Sequence, residues 1–203
     1  MRILKTKSFL CIFVLVFILP FSQAFGWNIM FDVGMEKASE PSGAYMDEFD
    51  KVSSLIGYRM SLAYSFESGI VFGREAFGML HTIRKDEGRG TASVIVGGFV
   101  IGYSIGENPR LTLNIGIPLE KGQVNISFEN DDSGEKIDKQ EYLPANWGGI
   151  MLDLGFGKSS FGLALTINYV SMKTDDFGGS GKSFNASGIY PGLSLRWRFG
   201  PRN

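Results

Sequence analysis

Cysteine and histidine are almost missing from this chain, which has one of each in 203 residues. A lone Cys11 excludes a disulfide framework, and one His cannot found a zinc cluster. Charge of one sign is missing too. The 20 basic and 21 acidic residues leave a net charge of −1, no field for a nucleic-acid partner. No convincing helical periodicity follows residue 26. Glycine is abundant, at 27 residues against the usual ~7%. Aromatics are 13% of the chain, 17 of them Phe, and a disordered chain lacks such apolar mass.

The N-terminus reads as a processing segment. Arg2, Lys5 and Lys7 precede an uncharged apolar stretch from Phe9 to Phe21, and Ser22-Gln23-Ala24 follows. This is the layout of a secretory signal peptide, 1–24, or 1–26 if cleavage follows Gly26. Residues 25–203 then form one mature domain. Cys11 lies inside the apolar stretch, so the mature chain keeps no thiol for a disulfide or a lipid anchor.

From Trp27 onward apolar residues recur at every second position, the period of a strand. Eight segments show it. They carry Trp27 to Met35, Tyr58 to Phe66, Ile70 to Ile83, Ile95 to Ile105, Leu111 to Leu119, Ile150 to Phe156, Phe161 to Tyr169, and Leu193 to Phe199. In the third segment Ile70 and Phe72 share one phase, while Phe77, Met79 and Ile83 share the other. That switch predicts a β-bulge near Gly73 to Ala76.

Connections alternate as regularly as the faces. Tight turns fall at 67–69, 106–109 and 157–160, and longer polar connections at 38–53, 84–90, 129–141 and 173–188. The face opposite the apolar stripe is small and neutral, with scattered charges, and the mature Lys residues lie in connections or at strand ends. A solvent-washed face would be rich in Lys and Glu. Apolar side chains directed at lipid therefore fit better than a soluble lipocalin-like barrel with an apolar interior. The fold class expected is all-β: a closed antiparallel transmembrane β-barrel of eight strands, with short periplasmic turns and long extracellular loops. At the short-turn end Trp27, Tyr64, Phe66, Phe72, Tyr103, Phe156, Phe161, Trp197 and Phe199 form an expected aromatic girdle. A thinner upper girdle is expected from Tyr58, Trp147, Tyr169 and Tyr190.

On this topology, these girdles and the closing Leu193-x-Leu195-x-Trp197-x-Phe199 strand, residues 27 to 199 resemble the small eight-stranded bacterial outer-membrane barrels. That group includes OmpX, OmpW and the OmpA membrane domain. The resemblance implies an outer-membrane location, surrounding outer-membrane lipid, and insertion by the barrel assembly machinery. It also implies a monomer, with no cofactor and no nucleic-acid partner. The usual terminal Phe is here followed by Gly200-Pro201-Arg202-Asn203.

Candidate chemistry is sparse. Gly157-Lys158-Ser159 and Gly181-Lys182-Ser183 lack the first Gly of a phosphate loop, having Leu152 and Asp176 in its place. The acidic run Glu129, Asp131, Asp132, Glu135 and Asp138 lacks the ligand alternation of a calcium loop, so no metal site is expected. His81 lies near the outer end of the third segment. Lipid A-modifying barrels use a rim His with a Ser and a carboxylate, but Thr82 and Ile83 follow His81 here. An enzyme is not expected. Inside the barrel Glu36 should pair with Arg59 and Asp32 with Arg196, with Asp153 and Arg198 nearby, as structural or gating ion pairs. The leading expectation is a surface-interaction or structural protein with a filled lumen and an unknown extracellular partner. The alternatives are a narrow OmpW-like channel for small, even apolar, solutes and a lipid A-modifying enzyme built on His81.

Overall fold

The computed structural model describes residues 27–155 and 160–200. The signal segment and Phe156 lie outside them. Eleven strands follow in order: β1 (Trp27–Glu36), β2 (Lys51–Phe66), β3 (Ile70–Lys85), β4 (Gly88–Ile105), β5 (Arg110–Pro118), β6 (Gly122–Asn130), β7 (Lys136–Leu143), β8 (Ala145–Gly155), β9 (Phe161–Thr174), β10 (Phe184–Asn185) and β11 (Gly188–Phe199). Strands β1, β2, β3, β4, β5, β8, β9 and β11 pair antiparallel in that order, and β11 returns to β1. The result is a closed eight-stranded transmembrane barrel. Closure leaves no unpaired edge in lipid, where an unmet backbone group is costly.

The strands form here because their side chains alternate between two environments. Outward-pointing Val33, Leu62, Ile101, Leu113, Leu165 and Leu195 are exposed in an apolar band. The inward Asp32, Arg59, Thr166 and Arg196 are buried.

Strand β3 departs from expectation. Its register with β2 is continuous from Ile56↔Leu80 to Ser65↔Val71, so no bulge occurs at Gly73 to Ala76. The only shift along this pair lies higher, between Ser54 and Ile56. Phe77, Met79 and Ile83 keep the inward phase because the lumen itself changes character. Above Val96 its lining is apolar, with Val94, Val124, Ile126 and Ile83 all buried. The outer wall changes in the opposite sense. On β4 it runs Tyr103, Ile101, Phe99 and Ile95, then Ser93, Thr91 and Arg89. Below, the protein is apolar outside and polar within. Above, it is built like a soluble domain. A sequence phase switch thus records a change of solvent, not a bulge.

The expected loop at 129–141 is largely a hairpin. β6 takes over from β5 alongside β4, with Gly98 opposite Pro118 and then Ile95 opposite Gln123, and β7 pairs β6. Trp147 and Tyr190 also differ from expectation. Both point into the lumen at 4% and 1% exposure, while Tyr58 and Tyr169 remain on the outer wall. Inward Gly116 makes room for Trp147, since a Cβ there would overlap the indole ring.

Candidate functional site: a doubly closed lumen

The lower lumen is filled by charge. Arg196 donates from Nε to Asp32 Oδ1 at 2.5 Å and from Nη2 to Asp32 Oδ2 at 2.9 Å, and Nη1 reaches Asp153 Oδ2 at 2.9 Å. Arg198 also bonds Asp153, and Ser61 Oγ donates to Asp32 at 2.7 Å. Nearer the short-turn end, Arg110 donates to Ser65 Oγ at 3.2 Å. The expected Asp32–Arg196 pair is therefore present, with Asp153 and Arg198 joined to it.

The expected Glu36–Arg59 bond is not formed. Arg59 Nη2 donates instead to Glu75 Oε2 at 2.6 Å, and both side chains are 2% exposed. Glu36 accepts from Asn168 Nδ2 at 2.5 Å and Thr166 Oγ1 at 3.4 Å. The reason lies in β3. A bulge would have turned Glu75 out of phase, but the unbroken register directs it inward beside Arg59. Unbroken alternation from Val71 was the signal for it.

The upper lumen is closed by apolar packing. Phe77 stands at the boundary, with the Arg59 guanidinium 5.9 Å from its ring and Trp147 edge-on at 6.2 Å. Above it Tyr45 and Met46, from the β1–β2 connection, meet Phe177 and Phe184, from the β9–β11 connection, in one buried cluster. Phe177 lies 4.7 Å from Tyr45 and stacks on Phe184 at 4.9 Å. Tyr45 N–H donates to Ser183 O at 3.0 Å, and Ser42 and Asn185 exchange two backbone bonds of 2.8 Å. Lys139 of β7 donates to Phe177 O at 3.2 Å and sits 5.0 Å from the Tyr45 ring. Two connections that read as polar loops form a lid with its own core. Their Tyr, Met and Phe residues were the available signal.

His81 is part of this upper core rather than the rim. It is wholly buried, and neither imidazole nitrogen has a hydrogen-bond partner. A base–nucleophile pair needs a hydroxyl within hydrogen-bond reach, and among the described residues no hydroxyl bonds either His81 nitrogen. Burial pushes this imidazole, which lies above the membrane-spanning band, below the ordinary histidine range.

Of the rings expected in the lower girdle, Phe66, Phe72, Tyr103, Phe161 and Phe199 are exposed on the outer wall. Trp197 packs there between Phe31 at 5.9 Å and Phe161 at 5.5 Å, and Tyr64 lies one cross-strand pair from Trp27 and Phe66.

Among solved structures, Ail, the attachment invasion locus protein of Yersinia pestis, in complex with the heparin analogue sucrose octasulfate, matches with a TM-score of 0.57. The two are 12% identical over 84% of this chain and 99% of that one. This chain has the fold of the small eight-stranded outer-membrane barrels. Neisserial surface protein A also matches at 10% identity, covering 85% of this chain and 96% of that one, with a TM-score of 0.43. The N-terminal β-barrel domain of Pseudomonas aeruginosa OprF matches at 12%, covering 85% and 97%, with a TM-score of 0.39. No protein-family model matches the barrel, and no curated protein matches it either.

Proposed function

We propose that this barrel is a bacterial outer-membrane surface protein that acts through its extracellular wall and not through its lumen. One observation carries the reading. The lumen is closed twice, by ions and by an apolar lid, while β2, β3, β4, β6 and β7 continue above the apolar band with a polar outer face. A narrow channel would need both closures opened, and an enzyme would need a partner for His81.

The wall suggests the chemistry of its partner. Lys51 lies directly opposite Arg84, and Arg84 opposite Arg89, a row of three cations across β2, β3 and β4. Like charges opposite one another destabilise a sheet, so the row stores affinity for an anion. Below it runs a hydroxyl row, Ser53, Thr82 and Thr91. The two rows line a groove of ≈ 540 Å³. The next residue in the cationic row is Glu129, which pairs with Lys136 at 3.4 Å. A sulfated or phosphorylated glycan fits this surface, and a sulfated sugar is bound in the Ail structure. Retention of the refolded barrel on immobilised heparin tests this. Retention should fall steeply with salt and be lost in the Lys51→Ala/Arg84→Ala/Arg89→Ala variant. Unchanged retention of that variant overturns the assignment.

A further inference from the structure

Among the described residues the apolar band contains one cation on its outer side. Arg74 lies opposite Leu62 on β2 and Phe99 on β4, both lipid-facing, so it too points outward. Its height follows from the register. The row Phe161, Trp197, Phe31, Leu62, Arg74, Phe99, Ile117 climbs from the periplasmic girdle. One register step past Gly116↔Trp147, it reaches Asn146 and then Ser171 above the band. Arg74 stands midway on that climb. A charge there is among the costliest residues an outer wall can carry, and intramembrane charges mark function. The face of Phe99, 5.7 Å away, compensates only in part.

The wall around Arg74 is hollow. Next above it the outward positions are Ala76 and Gly97, two small residues side by side, with Ala76 opposite Met60 on β2. Alongside, the ladder steps from Pro118 in β5 to Gly122 in β6. The resulting groove of ≈ 540 Å³ has Met60, Leu62 and Ile95 as apolar walls. Arg74 lines it at mid-bilayer height, and Glu120, Lys121 and Tyr142 line its extracellular end.

We propose that this groove seats one phosphate-bearing lipid of the outer leaflet, with an acyl chain on the apolar walls and the phosphate held by Arg74 and Lys121. An Arg side chain can lie along its aliphatic stem and carry its guanidinium toward the interface. Ala76 and Gly97 leave that path open. Glu75 also lines the groove, but its carboxylate is buried against Arg59, so on the outer side the two cations face only the carboxylate of Glu120, which favours an anion. A second barrel is a poorer occupant. Among the described residues no Asp or Glu lies on the outer wall within the band, so a second copy brings no countercharge to Arg74. The inference is independent of the extracellular cationic row.

The test compares the mature barrel refolded into phosphatidylcholine vesicles with and without a minor fraction of lipid A. Native mass spectrometry then counts lipid retained after gentle detergent release. Wild type should retain one lipid A and unfold at higher temperature in the lipid A vesicles. Arg74→Leu should fold at least as well as wild type in plain phosphatidylcholine, since it removes a charge from the band. Its lipid A retention should fall by at least about tenfold, the scale of one lost charge-assisted contact. Lys121→Ala should weaken retention in the same direction. Equal retention by wild type and Arg74→Leu overturns the proposal, as does a protein dimer released without lipid.

Discussion

Asp32 and Arg196 stand directly opposite each other across the seam where β1 and β11 join, clamped by two hydrogen bonds of 2.5 and 2.9 Å. The first and last strands of the barrel are thus tied by side chains as well as by backbone. Both groups are buried, so each is tolerable only because it is paired, Arg196 also reaching Asp153 and Asp32 also accepting from Ser61.

Breaking that clamp from one side strands a charge. Arg196→Met should destabilise the barrel by about 3–5 kcal/mol, and Asp32→Ala by a similar amount. The Asp32→Ala/Arg196→Met variant should recover part of the loss, because no uncompensated charge remains on that pair. Urea titration in lipid vesicles measures all three. Wild-type midpoints for both single variants would show that the network contributes nothing to stability.

The outer wall can be checked by depth. Leu165 points outward in the band, whereas Thr166 is buried inside. Leu165→Arg should cost about 2–4 kcal/mol near the midplane, well beyond the cost of Leu165→Ala. The same refolding titration reads it, and identical midpoints for the two variants would mean the faces are reversed.

Conductance should reflect two closures in series. Eight strands enclose a space that side chains can fill, and here both layers fill it. Planar-bilayer recordings of the wild type should stay far below porin levels. Arg59→Ala/Arg196→Ala or Phe177→Ala/Phe184→Ala alone leaves the other layer in place, so only the variant that combines all four should leak. Steady porin-sized openings in the wild type would promote the channel reading.

Acid should loosen the lid. Folding holds the His81 proton affinity below its unfolded value, so the unfolded chain takes the proton first as pH falls. The stability that neutral His81 contributes is complete above about pH 6.5 and is lost progressively below it. Glu40 opposes the effect in part. The hydrogen-exchange protection factor of the Met172 amide, which donates to Ser187 Oγ at 3.0 Å, should fall between pH 7 and 5 in wild type but not in His81→Phe. Equal acid sensitivity in the two proteins would place the acid effect elsewhere.

Period-two alternation, tight turns at one end and aromatics gathered there were enough to read a membrane barrel, because each follows from a local rule: strand geometry, turn chemistry and the solvent each face meets. The Asp32–Arg196 pair was legible for the same reason, since directly opposed residues follow from strand register. Glu75 was not. Its partnership with Arg59 depends on β3 running unbroken while its lining changes from charged to apolar, and only the assembled barrel shows that the lumen, not the strand, makes the change. Trp147 and Tyr190 read as interfacial rings on their chemistry, although each falls in the inward phase of its strand, out of step with outward Ile150 and Leu193, and the dry upper lumen that buries them exists only in the assembled barrel. The lid lay still further from reach. Tyr45, Phe177 and Phe184 are separated by up to 139 positions in the chain and acquire a common core only when closure of β1 against β11 brings their connections together.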